Sequence, residues 1–413
     1  MGAADVTGVD LTDLDVFVDG FPHDVFTDLR RRAPVWWHEP TTHTPDGVGF
    51  WVVSGAPEVL AAVADAATFS SERAPGAAGG GTLIQDLPHG FAAGVLLNMT
   101  DDPRHQEVRR VVTPSVAPRA LAALEPELRR RAAALFDAVD VDGRCDFLTD
   151  VAVELPLQAT ATLLGVPQED RHDLMAWSNA TLDYEDRELG ESSPAAEAAA
   201  AASADYGSRL VARRRAEGGT DMLSVLAAAE LGDGQLSELE LFMSYSLMIA
   251  AGSETTRNAI ALGLEALVVH EDQWRRLQRE PALVESATEE ILRWTSPTLY
   301  NRRTATRDTE LAGVPVAAGD KVTLWWASAN RDERIFDDPF RFDVGRRPNP
   351  HLAFGYRSHF CLGANLARLE IRIVLEELRA RYDGFELTGP VERFRTNKHA
   401  GVKHMPVVLH RRP

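Results

Sequence analysis

The stretch His351–Arg372, "HLAFGYRSHFCLGANLARLEIR", carries one of only two cysteines in the chain. Cys361 follows an aromatic–glycine run and precedes a segment in which Leu362, Leu366, Leu369 and Ile373 keep helical spacing. That spacing puts the sulfur at a helix N-terminus, where partial positive charge and unbonded N–H groups stabilise a thiolate. Phe354, Gly355 and Gly363 flank it, and glycine at such points allows close backbone approach to something flat and large. Haem is the flat cofactor that takes an axial thiolate. A buried, inert cysteine is the competing reading.

The totals narrow the field. With 413 residues and 45% hydrophobic content the chain can bury a large core. A formal charge of -19 argues against a dedicated nucleic-acid binder, which needs clustered Lys and Arg. Two cysteines leave no disulfide framework, and with no apolar leader segment they fit a reducing cytoplasm. No run of about 18 apolar residues predicts a membrane span.

Residues 1–20 read as an acidic lead-in arm. "PVWWHE" and "GFWVVS" predict a hairpin, and "APEVLAAVADAATF" a helix. The Gly- and Pro-rich segment 75–97 is too long for a connector, so it is either a functional lid or disordered. Helical periodicity then runs from Asp101 to about Gly232, broken by an acidic loop within 176–195. The longest helix candidate starts at a capping box formed by Ser237 and Glu240 and continues to about Val269, roughly 50 Å. It is apolar on nearly every face, so it must cross the middle of the molecule. Strands return at "NRRTAT", "TELAGVPVAAG", "KVTLWWA" and "HMPVVLH". The expected fold class is mainly α with small β-sheets, as a single domain over 1–413.

Within the long helix, "AAGSETTR" places glycine, serine and two threonines where alanine would be better. A threonine bonding back to the preceding turn bends a helix and opens a groove. Glu290 and Arg293 in "EEILRW" stand i, i+3 on one face, and His105 and Arg109 in "HQEVR" stand one turn apart. Cys145 in "DGRCDFL" lacks metal-ligand spacing and reads as a small core or turn residue.

Taken whole, these segments resemble the cytochrome P-450 family. Phe354, Gly355, His359, Cys361 and Gly363 match its F-G-x-G-x-H-x-C-x-G loop, with Arg357 standing where the second glycine belongs. If the left-handed backbone is kept there, arginine costs about 1–2 kcal/mol. Ala251, Gly252, Glu254, Thr255 and Thr256 match the A/G-G-x-D/E-T-T segment. Glu290 and Arg293 match E-x-x-R, Arg341 in "DPFRFD" matches the arginine completing that buried triad, and Arg303 matches R-x-A-x-x-D. The resemblance implies a P-450 fold whose long central helix crosses over haem b. Cys361 would be the iron ligand, with His105, Arg109, Arg303 and His359 at the propionates. Ala251 and Gly252 would line the dioxygen groove, Thr255 would donate its hydroxyl proton, and Glu254 would relay protons. Glu290, Arg293 and Arg341 would lock the cysteine loop.

The implied activity is insertion of one oxygen atom into a C–H or C=C bond, with electrons from a separate ferredoxin and its reductase. Arg368 and Arg372 form a candidate basic patch for that ferredoxin. By the same analogy, mobile regions at 75–97 and 176–195, together with Met243–Ala251, Thr298–Tyr300 and Lys398–Val402, frame a pocket. The pocket suits a mid-sized hydrophobic molecule of natural-product, terpenoid, sterol or fatty-acid type. Lys398 and His399 hint at a polar or anionic substrate end. Other readings are hydroxylation of a carrier-protein-bound amino acid in secondary metabolism and a non-catalytic haem sensor or carrier. The sensor could dispense with Glu254 and Thr255.

Overall fold

The computed structural model describes residues 8–139, 142–181, 192–232 and 234–412. The first seven residues of the arm and residues 182–191 of the acidic loop lie outside the described residues.

The helix Glu238–Val269 organises the rest. Ser237 accepts from the Glu240 N–H at 3.2 Å, and Glu240 accepts from the Ser237 N–H at 2.8 Å. This reciprocal pair fixes the N-terminus where the sequence places it. Downstream of Ser253 almost every side chain to Leu267 is buried, polar Arg257 and Asn258 included. One core cluster joins its C-terminal half to the helices Val284–Thr295 and Ala364–Arg381; another packs its N-terminal half against Pro194–Glu217.

The hairpin predicted from "PVWWHE" and "GFWVVS" forms as Val35–His38 paired antiparallel with Phe50–Val53. It extends into a five-stranded sheet through Lys321–Trp325, Tyr300–Ala305 and Phe69–Ser70. A second sheet has the order Tyr382–Leu387, Pro406–Arg411, Arg144–Asp146, so Cys145 is a half-buried edge-strand residue. In the 75–97 segment, Gly79–Gly80 pairs with Leu87–Pro88, and the residues between them are hydrogen-bonded into the first sheet. No helix among the described residues is long and apolar enough to cross a membrane.

Glu290 and Arg293 are fully buried and joined by two 2.8 Å hydrogen bonds. The third member of this cluster is Arg346, 3.2 Å from Glu290, not Arg341. Arg341 is exposed and takes part only through its carbonyl, which accepts from Arg293 at 3.3 Å and from Arg346 at 2.8 Å. A turn closed by the Arg341 N–H on Asp338 O sets this arrangement, with Asp338 at φ +46°. Glu290→Gln is expected to lower stability by about 3–5 kcal/mol, because two guanidinium groups lose their counter-charge. Arg341→Ala should stay within about 0.5 kcal/mol. Urea denaturation measures both, and a large loss for Arg341→Ala would return that side chain to the cluster.

Candidate active site

The loop before Ala364–Arg381 places Cys361 by backbone bonds: its N–H donates to Phe354 O at 2.8 Å, and the Gly355 N–H to Leu352 O at 2.9 Å. Gly355 has φ +68°, and Arg357 keeps the left-handed conformation at φ +60°. The strain of about 1–2 kcal/mol is therefore present. The Arg357 guanidinium lies 5.3 Å from the Tyr356 ring, a contact that offsets part of it. Phe354 is buried beneath the Arg368 guanidinium, 4.6 Å away.

Cys361 opens onto a cavity of about 1140 Å³. Burial pushes its thiol upward, opposed by hydrogen bonds from the Gly363 and Ala364 N–H groups and by Arg109 and Arg368. A metal cation bound there would reverse that balance, since a coordinating thiol is deprotonated outright.

His105, Arg109, Arg303 and His359 line the same cavity. His105 stacks on His359 with ring centroids 4.0 Å apart. Asp102 accepts from the His105 Nδ1–H side at 3.0 Å and from Ser358 at 2.8 Å, while His359 Nε2 lies 3.2 Å from Ser71 Oγ. Burial, then Arg303 and His105, push His359 down to about 2. Arg109 donates to Phe360 O at 2.6 Å. Arg303 is buried and donates to Arg302 O at 2.9 Å, and burial lowers it to about 10. A buried guanidinium with donors to spare calls for an anion.

Haem fits these residues. The thiol and the convergent cations suit its iron and its carboxylates. A Cβ built on Gly363 would meet nothing within 4 Å, so that edge of the cavity is open to a flat ring. The volume exceeds the roughly 300–1,000 Å³ of an ordinary ligand pocket, leaving room for a second molecule.

The long helix supplies another wall through Ala251, Gly252, Glu254 and Thr255. Thr255 Oγ1 donates to Ala251 O at 3.1 Å, and Ser253 Oγ to Ile249 O at 2.6 Å, the back-bonding expected of hydroxyls in a helix. A Cβ on Gly252 would come within 2.6 Å of Thr160 Oγ1, so glycine permits the neighbouring helix Glu154–Leu164 to pack closely. Burial pushes Glu254 up to about 8, against the pull of Arg257. Among the described residues its Oε1 has no hydrogen-bond partner, and it lies 3.9 Å from His399 Nδ1. A neutral carboxylic acid beside a threonine hydroxyl is a proton donor tuned to neutral pH.

Three residues escaped the sequence reading. Asp102 carried a detectable signal, three positions before His105 at a helix start. Ser71 and Ser358 carried none, because loop folding alone brings them to the histidines. Lys398 differs from the expected anion-binding end. Its ammonium is held by Tyr300 O at 2.7 Å, Asn301 Oδ1 at 2.8 Å and Thr82 O at 3.3 Å, which uses its three donors. Arg368 and Arg372 are likewise committed, Arg368 to Glu289 at 2.7 and 2.8 Å and Arg372 to Glu125 at 3.0 Å.

Comparison with known proteins agrees with this geometry. The family model for cytochrome P450 matches residues 201–383. Cytochrome P450 126 of Mycobacterium tuberculosis (strain ATCC 25618 / H37Rv) is 46% identical, covering 98% of this chain and 99% of its own. Linalool 8-monooxygenase of Pseudomonas putida is 35% identical over 97% of this chain and 98% of its own. The solved structure of a Mycobacterium marinum cytochrome P450 in complex with pseudoionone is similar at TM-score 0.88 and 29% identity, covering 99% of both chains.

Glu254→Gln keeps the side-chain shape and removes its titration. With a folded value of about 8 against an ordinary 4.5, wild-type stability falls as pH rises from about 4.5 and levels off above about 8. The stability advantage of Glu254→Gln should widen across that interval in thermal unfolding at stepped pH. An advantage independent of pH would show that Glu254 is not a buried, protonated acid.

Proposed function

Because the chain belongs to the cytochrome P450 family of haem-thiolate monooxygenases, we propose that Cys361 ligates the haem iron and that the enzyme oxidises a mid-sized apolar substrate. The observation that carries this reading is the single cavity shared by Cys361, His105, Arg109, Arg303, His359, Glu254 and Thr255.

Haem held by the Cys361 thiolate would supply the redox chemistry of dioxygen reduction, which takes two electrons and two protons and sends one oxygen atom to the substrate and the other to water. Arg109 and Arg303 would neutralise the carboxylates, while His105 and His359, whose charged forms burial disfavours, would fix the ring's orientation through their N–H groups. Thr255 holds its proton on Ala251 O. Rotation of that hydroxyl turns the proton into the cavity, and Glu254, protonated at neutral pH, replenishes it. The apolar wall formed by Met243, Leu247, Leu83 and Leu366 excludes water from the reacting carbon. Glu254 and Thr255 favour turnover over a passive haem carrier, which needs neither.

Electrons come from a separate ferredoxin and its reductase. For the substrate we favour a branched, isoprenoid-type skeleton: the relatives named for linalool and bound to pseudoionone share that chemistry, and the wall around the helix is apolar with few polar points. The ammonium of Lys398 is already satisfied, which argues against a carboxylate at that end.

Wild-type protein and Thr255→Ala should both give the red-shifted Soret band on reduction with carbon monoxide, while Cys361→Ser should lose it. Thr255→Ala should consume electrons yet release most of them as hydrogen peroxide; full coupling in that variant would remove Thr255 from proton delivery. In spectral titrations, acyclic isoprenoid alcohols and ketones should displace the iron-bound water at lower concentration than straight-chain fatty acids of equal length. The reverse order would reject the isoprenoid reading.

A further inference from the structure

Residues 82–86 belong to a segment whose composition reads as a lid or as disorder, yet the main chain is fastened at each of residues 82–85 and Asp86 is held by its side chain. Thr82 O accepts from the Arg302 N–H at 2.9 Å and from Lys398 Nζ at 3.3 Å. Leu83 O and Gln85 O accept from Arg302 Nη1 at 3.3 and 3.5 Å. Ile84 O accepts from Lys321 Nζ at 2.9 Å, and its N–H donates to the Tyr300 hydroxyl at 3.3 Å. Asp86 completes the set, accepting from Arg302 Nη1 at 2.6 Å with Lys321 Nζ at 3.6 Å. Just upstream, the Gly81 N–H donates to Glu72 O at 2.7 Å. A Cβ on Gly80 would sit 1.9 Å from that same carbonyl, so only glycine fits there.

The energetics point the same way. Arg302 and Lys321 are 1% and 3% exposed, and such cations persist inside a protein only when hydrogen-bonded. An irregular backbone packed against a core has no ladder of its own, so each carbonyl needs a partner from elsewhere. Here the two needs answer each other. Thr82, Leu83 and Gln85 face the cavity, while Ile84 is buried against Leu299, Tyr300 and Trp325.

We propose that Arg302, Lys321 and Lys398 are specificity-determining residues, fastening 82–86 as a fixed wall that limits the width of the substrate chamber. This rests on reading the cavity as that chamber. Lys398 is the keystone, because it alone of the three lines the cavity and ties three chain segments: its own loop, the strand Tyr300–Ala305 and Thr82. The wall selects by shape, since its carbonyls are spent on the cations, and the cations on those carbonyls together with the side chains of Asp46, Asp86 and Asn301.

The test uses haem-loaded protein, Lys398→Met and Asp86→Asn. The second variant removes a half-exposed clamp residue and so guards against misfolding of the first. Hydrogen exchange of the amides of residues 81–87 should rise roughly tenfold or more in both, the effect of losing one charge-assisted hydrogen bond, with residues 104–112 unchanged. Binding of imidazole and of 4-phenylimidazole, read by difference spectrum, should shift severalfold toward the bulkier ligand. Unchanged exchange in both variants would overturn the clamp. Raised exchange with an unchanged ligand ratio would overturn its role in specificity. Wild-type protein giving no azole spectrum would refute the haem reading instead, and the exchange data would still decide the clamp.

Discussion

The carboxylate of Glu290, with no exposed surface, gathers donors from three separate places in the chain. Arg293 on its own helix, the Asp343 N–H and Arg346 in the irregular segment, and Asn349 just before the cysteine loop all bond to its two oxygens. A buried charge survives only with such saturation, and removing any large part of it leaves the rest uncompensated. Arg293 passes the constraint onward, donating to Asn330 O and Pro339 O at 2.9 Å each. Asn330 in turn accepts from the Leu352 N–H at 2.6 Å. Leu352 O then accepts from Gly355, at the start of the loop that carries Cys361. The sulfur's position thus traces through four hydrogen bonds to one carboxylate about seventy residues upstream.

This explains which parts of the molecule were legible. The long helix was, because its capping box and continuous apolar content are local signals that tertiary packing reinforces. The strands "KVTLWWA" and "GFWVVS" were too, although their parallel pairing was not, since nothing in either segment names its partner. Cys361, Glu254 and Thr255 stood out because each sits in a segment whose composition is poor for its secondary structure. Arg341 and Arg346 show the limit. Both are arginines in the same irregular stretch, and only the turn at Asp338 decides which points inward. The clamp on residues 82–86 shows it again, because its cations lie more than two hundred residues away.

Charge placement ties these observations together. Among the described residues, the buried cations Arg30, Arg257, Arg293, Arg302, Arg303, Lys321 and Arg331 outnumber the buried acids Glu254, Glu290, Asp332 and Glu370, so the surface is more acidic than the formal -19 implies. A dominantly negative exterior repels an acidic electron donor at long range. If the proposed ferredoxin is acidic, its docking would need a local exception. Arg368 and Arg372 lie on the helix behind Cys361, but each already holds a carboxylate of this chain, Glu289 and Glu125. An acidic partner would have to share these guanidiniums, and an exchange of one half-exposed ion pair for another gains little free energy. On the proposed ferredoxin reading, such a surface would give orientation and rapid release more than affinity, as suits a donor that delivers two electrons in separate encounters.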